Sequence, residues 1–272
     1  MEDNRALSMP HRSLPRMPPR FTSIREARSH FCAVCCKWYN FTCSLKRTGK
    51  TLLSTALEPS TTGNKDAVKS DHALNEHKTH IQELNKWRET FEPLYQKVWR
   101  SGNVRDRKAS IILELQYLTM CLDTTHIFAA IAGEEVAYDK SHATFTEILR
   151  LVENLLDKSE ITYTYDIESI CFLGYVASKC RDPLTRREAI RLLSCKPRRE
   201  GTWDSLVAAK FCTWIVDVEE EGMVDGFIPE YARARDIVVK LDPQGGRAEV
   251  CCKLLVKDVP GVMRARATVI TW

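Results

Sequence analysis

The stretch KCRDPLTRREAIRLLSCKPRREGTWDS, residues 179–205, decides how this chain is read. Pro183 suits the first turn of a helix, where its missing N–H removes no intrahelical bond. Asp182 before it is a helix cap. A helix is therefore predicted over residues 183–195, with tight turns on either side and another helix from Trp203-Asp204 onward. Arg186 and Arg187 are expected to pair with Glu188 or Glu200, and Trp203 to anchor the next helix by burial. Nothing in this set of residues is catalytic.

Working upstream, the chain keeps a helical rhythm back to residue 71. Leu74, His77, Ile81, Leu84, Arg88, Phe91, Tyr95 and Val98 recur at three and four, and with Trp87 and Leu94 they make an apolar face. Asp71 is the expected cap, Pro93 a kink or restart, and Ser101-Gly102-Asn103 a stop. Further helices are predicted over 104–131, ended by Gly133 with Asp123-Thr124-Thr125 as an interruption, over 140–157, and over 165–179. The last of these is apolar nearly all round and so belongs at the centre. Working downstream, the helix from 203 is expected to end at Gly222. The short runs 237–241, 248–256 and 265–270 are β-prone, with Gln244-Gly245-Gly246 as a turn. The expected fold is mainly α: an antiparallel helical array or bundle with a small C-terminal β-hairpin or three-stranded sheet. No fixed-length repeat points to a solenoid.

The chain has 272 residues, 44% of them hydrophobic and 28% charged, the balance of a protein that builds its own core. The net charge of +4 is unevenly placed. Residues 1–70 hold 12 basic and 5 acidic side chains, whereas residues 71–272 hold 28 and 31. Residues 1–70 show no sustained period, and 58–70 (EPSTTGNKDAVKS) is polar and turn-rich. The expected division is a basic, largely disordered leader and linker over 1–70 and a helical domain over 71–272. The leader's charge suits phosphate or acidic surfaces. No apolar run approaches the ~20 residues of a membrane span. Residues 1–20 lack a secretory core, and their prolines break the amphipathic helix of a mitochondrial presequence.

Eleven cysteines in a chain expected to stay out of the secretory route read as reduced thiols. Cys121, Cys171, Cys180, Cys195 and Cys212 lie in apolar helical stretches and read as small buried residues. Cys32, Cys35 and Cys43 differ: a CxxC pair can offer two thiolates to one tetrahedral zinc. A binuclear zinc cluster needs six cysteines, however, and after Cys43 the next is Cys121. Only the first half is present, as a remnant or a coincidence, and KWYNFT between Cys36 and Cys43 holds one lysine where a basic DNA-contacting run would stand. His72, His77 and His80 read as a solvated helix face, and Glu219-Glu220-Glu221 as a solvated helix end. Lys46 to Thr51 has the end of a phosphate loop but Ser44 where the first glycine belongs. GxSxG, HExxH and a glycine-rich dinucleotide turn are missing from the sequence.

Residues 179–205, through KCRDP, RREAIRLL and PRREGTWDS, closely resemble a signature in the C-terminal regions of fungal zinc-cluster transcription regulators. WRETFEPLY (87–95) upstream, and EEEG (219–222) and IPEYARAR (228–235) downstream, look like that family in the same order. The resemblance covers about 200 residues. Within it, Cys180, Arg181, Asp182, Pro183, Arg187, Arg199, Glu200, Gly201, Trp203 and Asp204 carry the signature. It implies an all-helical regulatory domain, a nuclear location and control of RNA polymerase II transcription, often of secondary-metabolite genes.

The expectation is a non-enzymatic transcription regulator with a degenerate or missing DNA-binding module. It would act through the transcription machinery or a partner regulator, with no membrane and no cofactor unless the N-terminal cysteines hold zinc. A helical interaction scaffold and a metabolite-pathway enzyme are the alternatives. The 71–100 face could serve as a homodimer seam, although a core helix is the simpler use.

Overall fold

The fold was obtained as a computed structural model that describes residues 16–55, 63–132, 134–156, 163–259 and 261–272, without the side chains of 46–55 and 63–70. The expected tail over 1–15, part of the 58–70 linker and the Gly133 stop lie outside the described residues. Among these residues there are seven α-helices and a three-stranded antiparallel sheet near the C-terminus, so the fold is mainly α as expected. No described helix is long and apolar enough to cross a membrane.

The chain divides into two compact units, residues 1–107 and 108–272. This replaces the division expected at residue 70. In the first unit, α1 (Ile24–Thr55) and α2 (Gly63–Ser101) lie side by side. Residues 24–55, read as leader from sequence, are therefore helical. The reason is a stripe at alternating spacings of four and three: Ala27, Phe31, Val34, Trp38 and Phe41 are all buried. It meets a stripe of the same spacing on α2, where His80, Leu84, Trp87, Phe91, Leu94 and Val98 are buried. Phe31 lies 4.6 Å from Trp87 and Trp38 5.6 Å from His80 between ring centroids, so the helices run antiparallel. The fully buried Trp87 indole donates to the Ala27 carbonyl at 2.9 Å.

The seam foreseen on residues 71–100 is thus filled from within the same chain. Asp71 is an interior position of α2, not its cap, and Pro93 is accommodated without ending the helix. Gly102, at φ +74°, turns the chain after α2, a conformation glycine adopts without a Cβ penalty. Asn103 caps α3 (Val104–Ala132) by accepting from the Asp106 N–H at 3.2 Å. Asp123–Thr125 do not interrupt α3.

In the second unit, a 3-10 segment (Glu135–Ser141) leads into α4 (His142–Leu156), followed by α5 (Ile170–Lys179), α6 (Pro183–Cys195) and α7 (Ser205–Glu220). As its all-round apolarity requires, α5 is central and touches α4, α6 and α7. It begins at Ile170 rather than 165. Before it, β1 (Tyr163–Thr164) pairs with β2 (Arg199–Glu200), which pairs with β3 (Trp203–Asp204). The other face of α7 carries the sheet of β4 (Arg235–Asp242), β5 (Arg247–Leu255) and β6 (Met263–Thr271). Alternate β5 residues Ala248, Val250, Cys252 and Leu254 point into the core. The turn after β4 is closed by Asp242, which accepts from the Gly245 N–H at 2.9 Å.

Candidate functional site

The signature stretch forms the joint between α5, α6 and α7. Asp182 caps α6: its Oδ1 accepts from the Thr185 N–H at 2.8 Å and the Thr185 hydroxyl at 2.6 Å. These bonds, the hydroxyl's first, hold the Asp182 carboxyl below its usual range. Pro183 occupies the first helical turn. Asp204 caps α7 in the same way, accepting from Leu206 and Val207 N–H groups at 2.9 and 3.2 Å. Gly201, at φ +58°, makes the tight turn between β2 and β3 and donates its N–H to the Thr164 carbonyl. Trp203 is half-buried rather than a fully buried anchor, and Arg199 is exposed.

Glu200 is buried at the start of α5 and does the work of a cap from another element. Its carboxylate accepts from the backbone N–H groups of Glu168, Ser169 and Ile170 at 2.9–3.0 Å, and from the Ser169 hydroxyl. Three otherwise unsatisfied donors are thereby paired at that point, which is why α5 starts at Ile170. Arg198 completes the corner, with Nε on the Ser169 hydroxyl at 2.7 Å and 3.5 Å from Glu200.

The centre of the joint is Glu219, near the end of α7 and fully buried. Its two oxygens pair with Arg181 and Arg186, each at 2.8 Å, and Oε1 accepts from the Ala234 N–H at 2.7 Å. Burial opposes ionisation of Glu219, but the Arg181 and Arg186 guanidiniums outweigh it and hold the carboxyl below its usual value. Arg181 also reaches Glu135 at 3.3 Å, and Lys179 binds both Glu135 oxygens at 2.8 and 2.9 Å. Burial opposes the charge on both arginines. Arg181, with two carboxylate partners, is nevertheless raised, while Arg186, paired with Glu219 alone, is lowered.

A second limb extends from the 3-10 segment to the chain before β4. Arg233, fully buried, binds both oxygens of Asp139 at 2.7 Å and donates to the Ile228 carbonyl at 2.9 Å. Glu230 accepts from the Glu135 and Val136 N–H groups and pairs with Arg235. The network is dense enough to fix the relative placement of the 3-10 segment, the α5–α6 turn, the end of α7 and the start of β4.

Several expected partnerships are corrected by this geometry. Arg186 pairs with Glu219 and Arg187 with Glu220, not with Glu188 or Glu200. Residues one or two apart on a helix do not face each other, and Glu188 instead pairs with Arg191 three residues on. The acidic run 219–221 is not a solvated end: Glu219 is buried, and only Glu221 of the three is exposed. Glu219 lies four residues after Ile215 and seven after Cys212, so it continues an apolar stripe, a signal legible in the sequence. Glu135, Asp139 and Arg233 carried no such local signal. Of the cysteines expected to be buried, Cys180 and Cys212 are, Cys121 and Cys171 are half-buried, and Cys195 is exposed.

In this structure the three N-terminal cysteines are not gathered around one point. Cys32, Cys35 and Cys43 all lie on α1, where a rise of ~1.5 Å per residue sets Cys43 about 12 Å beyond Cys35. Burial, followed by its neighbours Cys32 and Cys36, pushes the Cys35 thiol up to about 12. Among the described residues no three His, Cys, Asp or Glu side chains are grouped to hold a metal ion. Nor are the helix-face histidines solvated together: His72 is exposed, His77 half-buried, and His80 buried between Trp38 and Phe41.

The chain matches no protein-family model, no curated protein and no solved structure.

Proposed function

We propose that this chain is a regulatory region of the fungal zinc-cluster transcription regulator type, acting in the nucleus without a DNA-binding module of its own. It controls RNA polymerase II transcription of a metabolic or secondary-metabolite gene set through a partner regulator or the transcription machinery, and it is not an enzyme. The observation that carries this reading is the 179–205 stretch, together with WRETFEPLY, EEEG and IPEYARAR in the same order. The geometry lends support in one respect. Asp182, Glu200, Asp204, Arg181 and Arg186 are spent on caps and buried pairs, which suits a stretch that shapes a binding surface rather than one that turns over a substrate. The helical placement of Cys32, Cys35 and Cys43 supports action without a zinc cluster of its own.

The test is to fuse the chain to a heterologous DNA-binding module upstream of a reporter gene in a filamentous fungus, and to follow a fluorescently tagged copy. Nuclear accumulation and a several-fold change in reporter output are expected. Exclusion from the nucleus with an unchanged reporter would instead make the chain a helical scaffold outside transcription.

A further inference from the structure

The C-terminal sheet ends on one side at β6, a nine-residue strand with no break in its register against β5. The two ends of that pairing show which way its backbone groups point. Trp272 donates to the Gly246 carbonyl at 3.0 Å and Val256 to the Val262 carbonyl at 2.8 Å, both on the register that sets Thr271 against Arg247. Hydrogen-bonded and non-hydrogen-bonded pairs alternate along an antiparallel ladder. The even-numbered residues of β6 therefore bond to β5. The odd-numbered ones point their N–H and C=O groups out past the edge of the sheet. Lys210 agrees with this by donating to the Thr271 carbonyl at 2.8 Å. Among the described residues, the outward backbone groups of Met263, Ala265, Ala267 and Val269 have no hydrogen-bond partner, and these four residues are exposed.

Sheet edges are ordinarily guarded by bulges, prolines or charges, because a bare edge is a template for another strand. The opposite edge of this sheet is guarded. There β4 carries a bulge between Arg235 and Val238, with Asp236 at φ +47° and bound to Lys253 at 2.8 Å. Strand β6 has no bulge and no proline, and Lys210 covers only its Thr271 end. Its two arginines, Arg264 and Arg266, lie on the face shared with α7, where Glu221 holds Arg266 at 2.6 and 2.7 Å. On the other face Val238, Cys251 and Ala267 form one row across the sheet, in an apolar groove of about 290 Å³ that also takes in Val269.

We propose that β6 is an interaction edge for a second copy of this chain, the two β6 strands pairing antiparallel about Ala267 to join both sheets into one. In that register Ala267 meets the partner's Ala267, Ala265 the partner's Val269, and Met263 the partner's Thr271, each pair exchanging outward N–H and C=O groups. Arg264 and Arg266 fall opposite the partner's Ile270 and the partner's Thr268. Sliding the copies toward the start of β6 sets arginine against arginine, which like charges disfavour. Sliding them toward its end shortens the ladder. The helices leave room for the join: α7 packs over the β5 row Ala248, Val250, Cys252 and Leu254. The two β5 strands would stand three spacings, about 14 Å, apart, wider than a helix of about 10–12 Å. Pairing β6 with itself closes the assembly at two copies, whereas pairing β6 with β4 would propagate, and the β4 bulge opposes that. The proposal does not rest on the transcriptional reading, because self-association is a property of the purified chain.

Sedimentation equilibrium on the full chain should show monomer and dimer exchanging with a Kd of about 1–10 µM, the weak end of specific association. Ala267→Pro removes the central outward N–H and no bond to β5, so it should weaken the dimer at least about tenfold while the fold is kept. Two double variants at exposed positions read the register itself. Ala265→Glu with Val269→Lys sets opposite charges across the join, and Ala265→Lys with Val269→Lys sets like charges there. The first should dimerise at least about tenfold more tightly than the second. In the unmodified chain, amide exchange at Ala265, Ala267 and Val269 should slow with rising concentration more than at Arg266 and Thr268, which already bond to β5. A chain still monomeric at about 100 µM, growth into open-ended oligomers, equal affinity of the two double variants, or a dimer that leaves these three amides unchanged would each overturn the proposal.

Discussion

Glu219 is one carboxylate answering two buried guanidiniums, so its removal strands charge rather than merely deleting a contact. Breaking a buried pair by removing one partner typically costs about 3–5 kcal/mol. Glu219→Gln should therefore lower the urea midpoint by an amount equivalent to about 3–5 kcal/mol. Arg187→Ala, which breaks a pair whose arginine side chain is 52% exposed, should cost under about 1 kcal/mol. Comparable losses in the two variants would sink this ranking. His80 makes a separate case. Burial lowers its pKa, against the pull of Glu83 and Glu76, while Lys37 and His77 add to the lowering. A histidine whose folded pKa is depressed contributes stability that is present above its unfolded value, about 6.5, and is lost as pH falls below it. His126 is lowered in the same sense by burial, so the whole chain should weaken on acidification. His80→Phe should flatten part of that slope in melts taken between pH 7.5 and 5. An unchanged slope would show that protonation of His80 is not resisted by the fold. At this scale the sequence was legible where chemistry is local, as at Asp182. For Glu219 the stripe signals burial but not its partners, and for Glu135 and Arg233 neither is legible, because the partners lie on other elements.

Elements were readable to the extent that their ends are set by neighbouring residues. The boundaries of α6 agree with expectation because Asp182 and Pro183 are adjacent in the chain. The start of α5 was missed because its cap, Glu200, comes about 30 residues later. Helix α1 is weakly marked in the sequence because its stripe mixes Ala27 and Val34 with aromatics and is interleaved with cysteines at ligand-like spacing. Asp182→Ala and Asp204→Ala should each cost about 1 kcal/mol as lost caps. Asp71→Ala, at an exposed interior position, should be neutral or slightly stabilising. Thermal melts of the three variants check this, and a loss at Asp71 equal to the others would restore it as a cap. Placing Cys32, Cys35 and Cys43 along one helix has its own consequence: zinc added to the reduced chain should leave the unfolding temperature unchanged. A rise of several degrees would require α1 to be remade around the metal.

For the molecule as a whole, the sequence conveyed class and order: helices first, then a small antiparallel sheet after residue 234. It did not convey the division after Arg107, because a boundary is drawn by contacts and the polar stretch 58–70 offered a misleading one. Among its described residues, the first unit is joined by the aromatic seam between α1 and α2. Trp38→Ala should remove about 3–5 kcal/mol from it and speed amide exchange along α1 and α2, while β5 amides keep their protection. Hydrogen exchange followed by mass spectrometry would show this, and equal loosening of β5 would make the two units one cooperative body.

The distance along the chain between Arg186 and Glu219 also matters while the protein is being made. The ribosome needs about 2–7 s to add those 33 residues at about 5–20 residues per second. Throughout that interval Arg186 has no carboxylate to pair with, and Arg181 has only Glu135. A nascent chain stopped before residue 219 is therefore not a shorter version of this domain. It retains Arg186 without its carboxylate and Arg181 with only one of its two, which marks it for holding by chaperones or for degradation.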